Sequence, residues 1–142
     1  MILYIFFSLL LNQLNFSDIQ GGDIDVTVAG ISNQKGEIMI ALFDSPEGFP
    51  QNARKAIKLV KGPAHKGDVV MHLKDVPSGR YAIALFHDTN GDAILNTNLL
   101  GIPKEGYGVS NNIKNKFSAP KFQQAAFVHG NSPTTLKIFI NY

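Results

Sequence analysis

The stretch DVPSGRYAIALFHD, Asp75 to Asp88, decides the fold. Asp75 to Gly79 is turn chemistry, and beyond it Tyr81, Ile83 and Leu85 point one way while Ala82, Ala84 and Phe86 point the other. A strand that is apolar on both sides has to be covered on both sides, which makes this a central strand with a layer over each face. The run Ile38 to Phe43, IMIALF, reads the same way. Around these two lie strands with one wet face. Ile24, Val26 and Val28 alternate with Asp23, Asp25 and Thr27, and Leu136, Ile138 and Ile140 alternate with Thr135, Lys137 and Phe139. KAIKLVK, Lys55 to Lys61, sets Ile57 and Leu59 against lysines and reads as an edge strand, since exposed lysines discourage further pairing. VVMHLK, Val69 to Lys74, is a further strand, and the tight turn Asp75 to Gly79 leads from it directly into the strand that follows. PKFQQAAF, Pro120 to Phe127, fits either a short helix starting at the proline or the approach to a strand ending at His129. DSPEGFP, Asp44 to Pro50, is a loop with room for one helical turn capped by Ser45.

The count is about seven strands with turn signals between them, no long helix and no internal repeat, as in a β-sandwich. We therefore expect an all-β, antiparallel sandwich. Between Asp88 and Pro120 no sustained periodicity appears, although Leu95, Leu99, Leu100, Ile102, Tyr107 and Phe117 are scattered through the segment. A structureless stretch that long is either functional or disordered, and its apolar residues predict an ordered loop packed over one sheet.

Composition narrows the function classes. The 142 residues carry 13 Lys and Arg against 11 Asp and Glu, a formal net charge of +2 that is too balanced for a polyanionic partner. The basic cluster of Arg54, Lys55, Lys58, Lys61 and Lys66 lacks interleaved aromatics, so nucleic acid is not the expected ligand. The absence of cysteine excludes disulfides, thiolate metal sites, a catalytic thiol and a lipid-bearing cysteine. MILYIFFSLLL at residues 1–11 has the length of a signal-peptide core and falls short of a membrane span. Residues 1–20 are read as a signal peptide, with an N-terminal apolar strand or helix as the alternative. Residues 21–142 are read as one sandwich domain, secreted or placed in the periplasm or cell envelope, with no integral span once mature.

Residues Val76 to Asn112, VPSGRYAIALFHDTNGD followed by LGIPKEGYGVSNN, resemble a bacterial family catalogued as domain of unknown function 2141. Its pattern is a Pro-Ser-Gly turn, Tyr-Ala, His-Asp, an Asn-rich loop, and Gly-Ile-Pro-Lys-Glu-Gly-Tyr-Gly before Ser-Asn-Asn. The likeness extends loosely to SAPKFQQAAF and the last strand. It implies an exported protein with a sandwich of the transthyretin and carboxypeptidase-regulatory type, and it brings no activity with it.

Chemistry concentrates in the loop. Asp88, Asn90 and Asp92 occupy alternate positions, the spacing with which an EF-hand-like loop wraps oxygens round calcium, followed by a carbonyl near Ile94 and then Asn96. The sixth position, normally Gly, is Ala93, and the twelfth, normally a bidentate acid, is Leu99. Asp44, Glu47 or Glu105 would be needed to complete a calcium site. The competing assignment is a plain Asx turn in which Asp88 and Asn90 cap backbone amides. His87, on the same face as Tyr81, Ile83 and Leu85, is expected to be buried and hydrogen-bonded. Lys104, Glu105, Tyr107, Ser110 and Asn111 gather a cation, an acid, a phenol and polar groups suited to a sugar or peptide, or to knitting the loop onto the sandwich. No serine elbow or phosphate loop is present. The leading reading is a non-enzymatic exported module that binds an extracellular or periplasmic ligand through residues 88–112, with calcium. The alternatives are a hydrolase using Asp88, Glu105 and His87, and a purely structural envelope protein.

Overall fold

The computed structural model describes residues 20–142, so the signal-peptide reading of residues 1–20 lies almost wholly outside the described residues. Eight strands form two sheets: β1 (Gly21–Ile31), β2 (Glu37–Phe43), β3 (Lys58–Pro63), β4 (Gly67–Pro77), β5 (Gly79–Asp88), β6 (Tyr107–Val109), β7 (Phe127–His129) and β8 (Thr134–Phe139). One sheet runs β4-β1-β8 and the other β3-β2-β5-β6, with β7 pairing β5. All pairs are antiparallel except β1–β8, which is parallel. The fold is thus the expected all-β sandwich. No helix among the described residues is long and apolar enough to cross a membrane.

The two faces of β5 carry two cores. Tyr81, Ile83 and Leu85 join Ile38, Ile40 and Leu42 of β2 and meet Ile24, Val26 and Val28 of β1 between the sheets. On the outer face Ala82 and Ala84 join Ala41 and Phe43 under a cover built from Phe49, Ala56, Val109, Ile113, Phe122 and Ala125. Phe49 stands edge-on to Phe43 at 5.3 Å and to Phe122 at 6.0 Å, so the loop after β2 and the helix α1 (Phe122–Ala125) are locked together over the sheet.

The cover therefore exists, and Val109 and Ile113 of the 88–120 segment take part in it, but the scattered residues named for it do not. Leu99, Leu100, Ile102 and Phe117 are exposed, and only Leu95 and Tyr107 of that set are half-buried. Apolar residues without a period carry no direction, and here the backbone turns them outward. The segment Pro120 to Phe127 is both of its alternatives in turn: α1 and then β7. At β3 the edge position holds, with Leu59 facing solvent and Val60 packed against the core, the reverse of the expected alternation. After β2 the helical turn lies at Ala53–Lys55 and is capped by Asn52 rather than Ser45.

β6 and β7 share one edge of β5, pairing with 84–86 and 79–81 respectively. Between them the Ile83 amide has no strand partner. The buried Ser110 hydroxyl accepts that amide at 2.9 Å and donates to the Ala125 carbonyl at 2.6 Å, tying β5 to α1. Asn111 follows with φ 59°, a left-handed conformation that Asn tolerates, and its side chain donates to the carbonyls of Gln124 and Ala126. At the far end, His129 donates from Nε2 to the carbonyls of Val76 and Gly22, and its Nδ1 accepts from Thr134.

Two substitutions test this seam and the turn that abuts β5. Ser110→Ala leaves a buried amide and a buried carbonyl unpaired and is expected to lower stability by about 1–3 kcal/mol in urea unfolding, with Ser110→Thr restoring part of it. Gly36 has φ +66°, and a Cβ there would lie 1.9 Å from the Asp88 carbonyl oxygen, so Gly36→Ala is expected to cost about 2–4 kcal/mol by the same measurement.

Candidate functional site

The acidic loop starts where β5 ends. The register of β5 with β6 sets Phe86 opposite Tyr107, and the His87 amide donates to the Gly106 carbonyl at 2.8 Å. One step further in this register Asp88 stands beside Glu105 on the outer face of the sheet. Gly106 permits the approach, because a Cβ there would run into the rings and side chains of Tyr142 and Ile140. Two buried carboxylates are thereby set side by side, a pairing that like charges disfavour.

The loop then folds back to add a third. Asp88 accepts the Gly91 amide at 3.0 Å through Oδ1 and the Ala93 amide at 2.8 Å through Oδ2. Asp92 accepts the Ile94 amide at 2.9 Å, and its other oxygen takes side-chain amides from Asn90 and Asn96 at 3.2 and 3.0 Å. The Ile94 amide holds the Asp92 carboxyl below the usual carboxylate range. Asx turns are thus real features of this loop. They also bring oxygen atoms of Asp88, Asp92 and Glu105 within 4.8 Å of one another. Ala93, at the position where a calcium loop normally has Gly, has φ 59° and makes the same kind of sharp turn. Leu99, at the twelfth position, is fully exposed and contributes no oxygen; the third carboxylate comes from Glu105 instead.

Glu105 is the anomaly of the site. It is 8% exposed, its Oε1 accepts the Thr89 amide and hydroxyl at 3.3 Å each, and its Oε2 is buried without any hydrogen-bond partner. A buried carboxylate oxygen with no donor is costly, and two further carboxylates beside it raise that cost. Among the described residues, none of the ion pairs involves Asp88, Asp92 or Glu105. An all-oxygen set with this charge fits a hard divalent cation of the calcium class. Asn90 and Asn96 now point amide nitrogen at Asp92; half a turn about χ2 of each would present oxygen instead.

The other residues singled out from sequence go to different places. His87 is fully buried; Nε2 donates to the Lys35 carbonyl at 2.6 Å and Nδ1 accepts from the Tyr142 hydroxyl at 2.8 Å. With both nitrogens engaged and no exposure, it offers no general base to a hydrolase. Ser110 and Asn111 are engaged within the seam between β5 and α1. Lys104 is exposed, Tyr107 is half-buried, and Glu105 turns toward Asp88, so the five do not face one common concavity. A cavity of about 280 Å³ between β3 and β4, lined by Val60, Met71 and His65 among others, includes none of them. What sequence reasoning left open was the third carboxylate. Its signal was the antiparallel register that carries 86 opposite 107 to 88 beside 105.

Comparison with known proteins gives one positive result. No curated protein and no solved structure was found to match the chain. The model of a bacterial family described as "Uncharacterized protein conserved in bacteria (DUF2141)" matches residues 26–137, from the middle of β1 to the middle of β8, and the chain belongs to that family.

Proposed function

We propose that the chain is a calcium-binding β-sandwich module, exported from the cell, whose acidic loop holds the ion with Asp88, Asp92 and Glu105 and completes the shell with Asn90 and Asn96. The observation that carries this reading is the buried, unpartnered Oε2 of Glu105 beside two more carboxylates. A divalent cation satisfies that oxygen and offsets the repulsion at once, which no donor among the described residues does. The apolar run at residues 1–11 supports export. Export in turn suits the affinity such a site would have, since modules that work outside the cell bind calcium in the range of about 10⁻⁴–10⁻³ M. Through the bound ion and the exposed Lys104, the loop would present itself to an extracellular or periplasmic ligand.

Calcium at millimolar concentration is expected to raise the Tm of the chain by about 3–6 °C over a chelator control, with magnesium giving less. Glu105→Gln separates the ion from the fold: without calcium it should be as stable as the parent or more so, because it removes a buried charge, and it should lose the calcium response. Equal Tm values in calcium and chelator would reject the reading.

A further inference from the structure

Beyond the acidic loop the chain makes a miniature hairpin. Thr97 bridges Pro103, the Lys104 amide donates to the Asn96 carbonyl at 2.7 Å, and the Asn98 amide donates to the Ile102 carbonyl at 2.8 Å. Asn98 also caps the turn from inside, its side-chain oxygen accepting the amides of Leu100 at 2.9 Å and Ile102 at 3.0 Å. The backbone at the tip is therefore satisfied and ordered. The side chains are not: Leu99 and Leu100 project almost wholly into solvent, and Ile102 is exposed on the same hairpin. A hairpin tip normally carries polar turn residues, and a contiguous exposed apolar patch calls for a partner.

The shape and charge of the surroundings select the partner. A convex tip finds its match in a protein only if that protein offers a pocket, whereas the boundary between headgroups and acyl chains admits any apolar projection. Lys104 at the foot of the hairpin and Lys35 in the turn that touches Asp88 through Gly36 are both exposed at this end of the sandwich and complement anionic headgroups. The carboxylate cluster sits at the same foot, with Asn96 belonging to both the hairpin and the cluster. From Asn96 to Leu99 the chain extends about 10 Å, the depth to which interfacial apolar groups enter a bilayer.

We infer that the Leu99–Leu100 hairpin is a membrane-surface anchor that inserts into anionic phospholipid when calcium occupies the carboxylate cluster at its base. Without the ion, three carboxylates repel the headgroups; with it, most of that charge is neutralised and the two exposed lysines outweigh what remains, so this end of the sandwich attracts lipid phosphate. This inference rests on the cation reading above, and its test keeps the two apart. The full chain is to be sedimented with vesicles of phosphatidylcholine mixed with phosphatidylglycerol, and with vesicles of phosphatidylcholine alone, in calcium and in chelator. Binding is expected to the mixed vesicles in calcium only. The double variant Leu99→Ser/Leu100→Ser should reduce it by at least about tenfold while keeping the calcium-induced rise in Tm. If calcium raises Tm but the parent ignores both vesicles, or if the double variant binds as well as the parent, the anchor is overturned and the cation reading stands. Leucine-dependent vesicle binding that is indifferent to calcium overturns the calcium gate. A concentration-dependent dimer in gel filtration that the double variant abolishes assigns the tip to a second copy of the chain and overturns the membrane.

Discussion

Burial of β5 on both faces is the constraint on which the rest of the molecule depends. A strand with alanines on one side and large aliphatic residues on the other can sit close under a thin cover on its alanine face while meeting a full sheet on the opposite face. Ala82 and Ala84 leave room there for the rings of Phe49 and Phe122, and those rings fasten segments from two distant parts of the chain onto one strand. The polar counterpart is Ser110. It supplies the hydrogen bonds that a continuous neighbouring strand would otherwise make. Packing on one side and a single hydroxyl on the edge thus fix β5 in place, and its C-terminal end, Asp88, is where the acidic loop begins.

From this follows the character of the site. Asp88 is held at the last residue of a strand that cannot shift, and Glu105 by the register of β6, so their proximity is imposed by the fold and not by attraction between them. Asp92 is brought in by the turns that Asp88 itself caps. The fold thus pays to bring like charges together and leaves one oxygen without a donor, and it is this cost that the proposed cation would offset. His87, one residue away, is on the other face of the same strand and closes the end of the sandwich with Tyr142 and Lys35.

Much of this was legible in the sequence, for physical reasons that differ from element to element. β1 and β8 declare themselves because sustained alternation has one explanation, and β2 and β5 because a short run apolar on both faces between turn signals reads as a strand covered on both sides. β6 does not, since Tyr-Gly-Val is too short to show a period and is a strand only by virtue of its neighbour. The same holds for Glu105, whose partner is fixed by register across a gap of irregular chain. The cover over β5 was predictable as a necessity but not in its membership. Phe122 and Ala125 lie in a helix of one turn, whereas the leucines of the loop, apolar enough to have done the work, are turned outward by Asn98. His87 could be placed by alternation alone, because a residue one step from Leu85 on the inner face has nowhere else to go.

The parallel pairing of β1 with β8 bears on how the chain folds. β1 is the middle strand of its sheet, flanked by β4 on one side and by β8, the last strand in the sequence, on the other. Closing that pair means closing a loop that contains nearly the whole domain, the kind of long-range contact that makes β proteins fold slowly. Until Thr134 to Phe139 arrive, Ile24, Val26 and Val28 lack one neighbour and the inter-sheet core lacks Ile138. Loss of residues 133–142 would therefore leave one edge of β1 unpaired and remove Ile138 from the inter-sheet core, exposing the first strand as surely as a change within it.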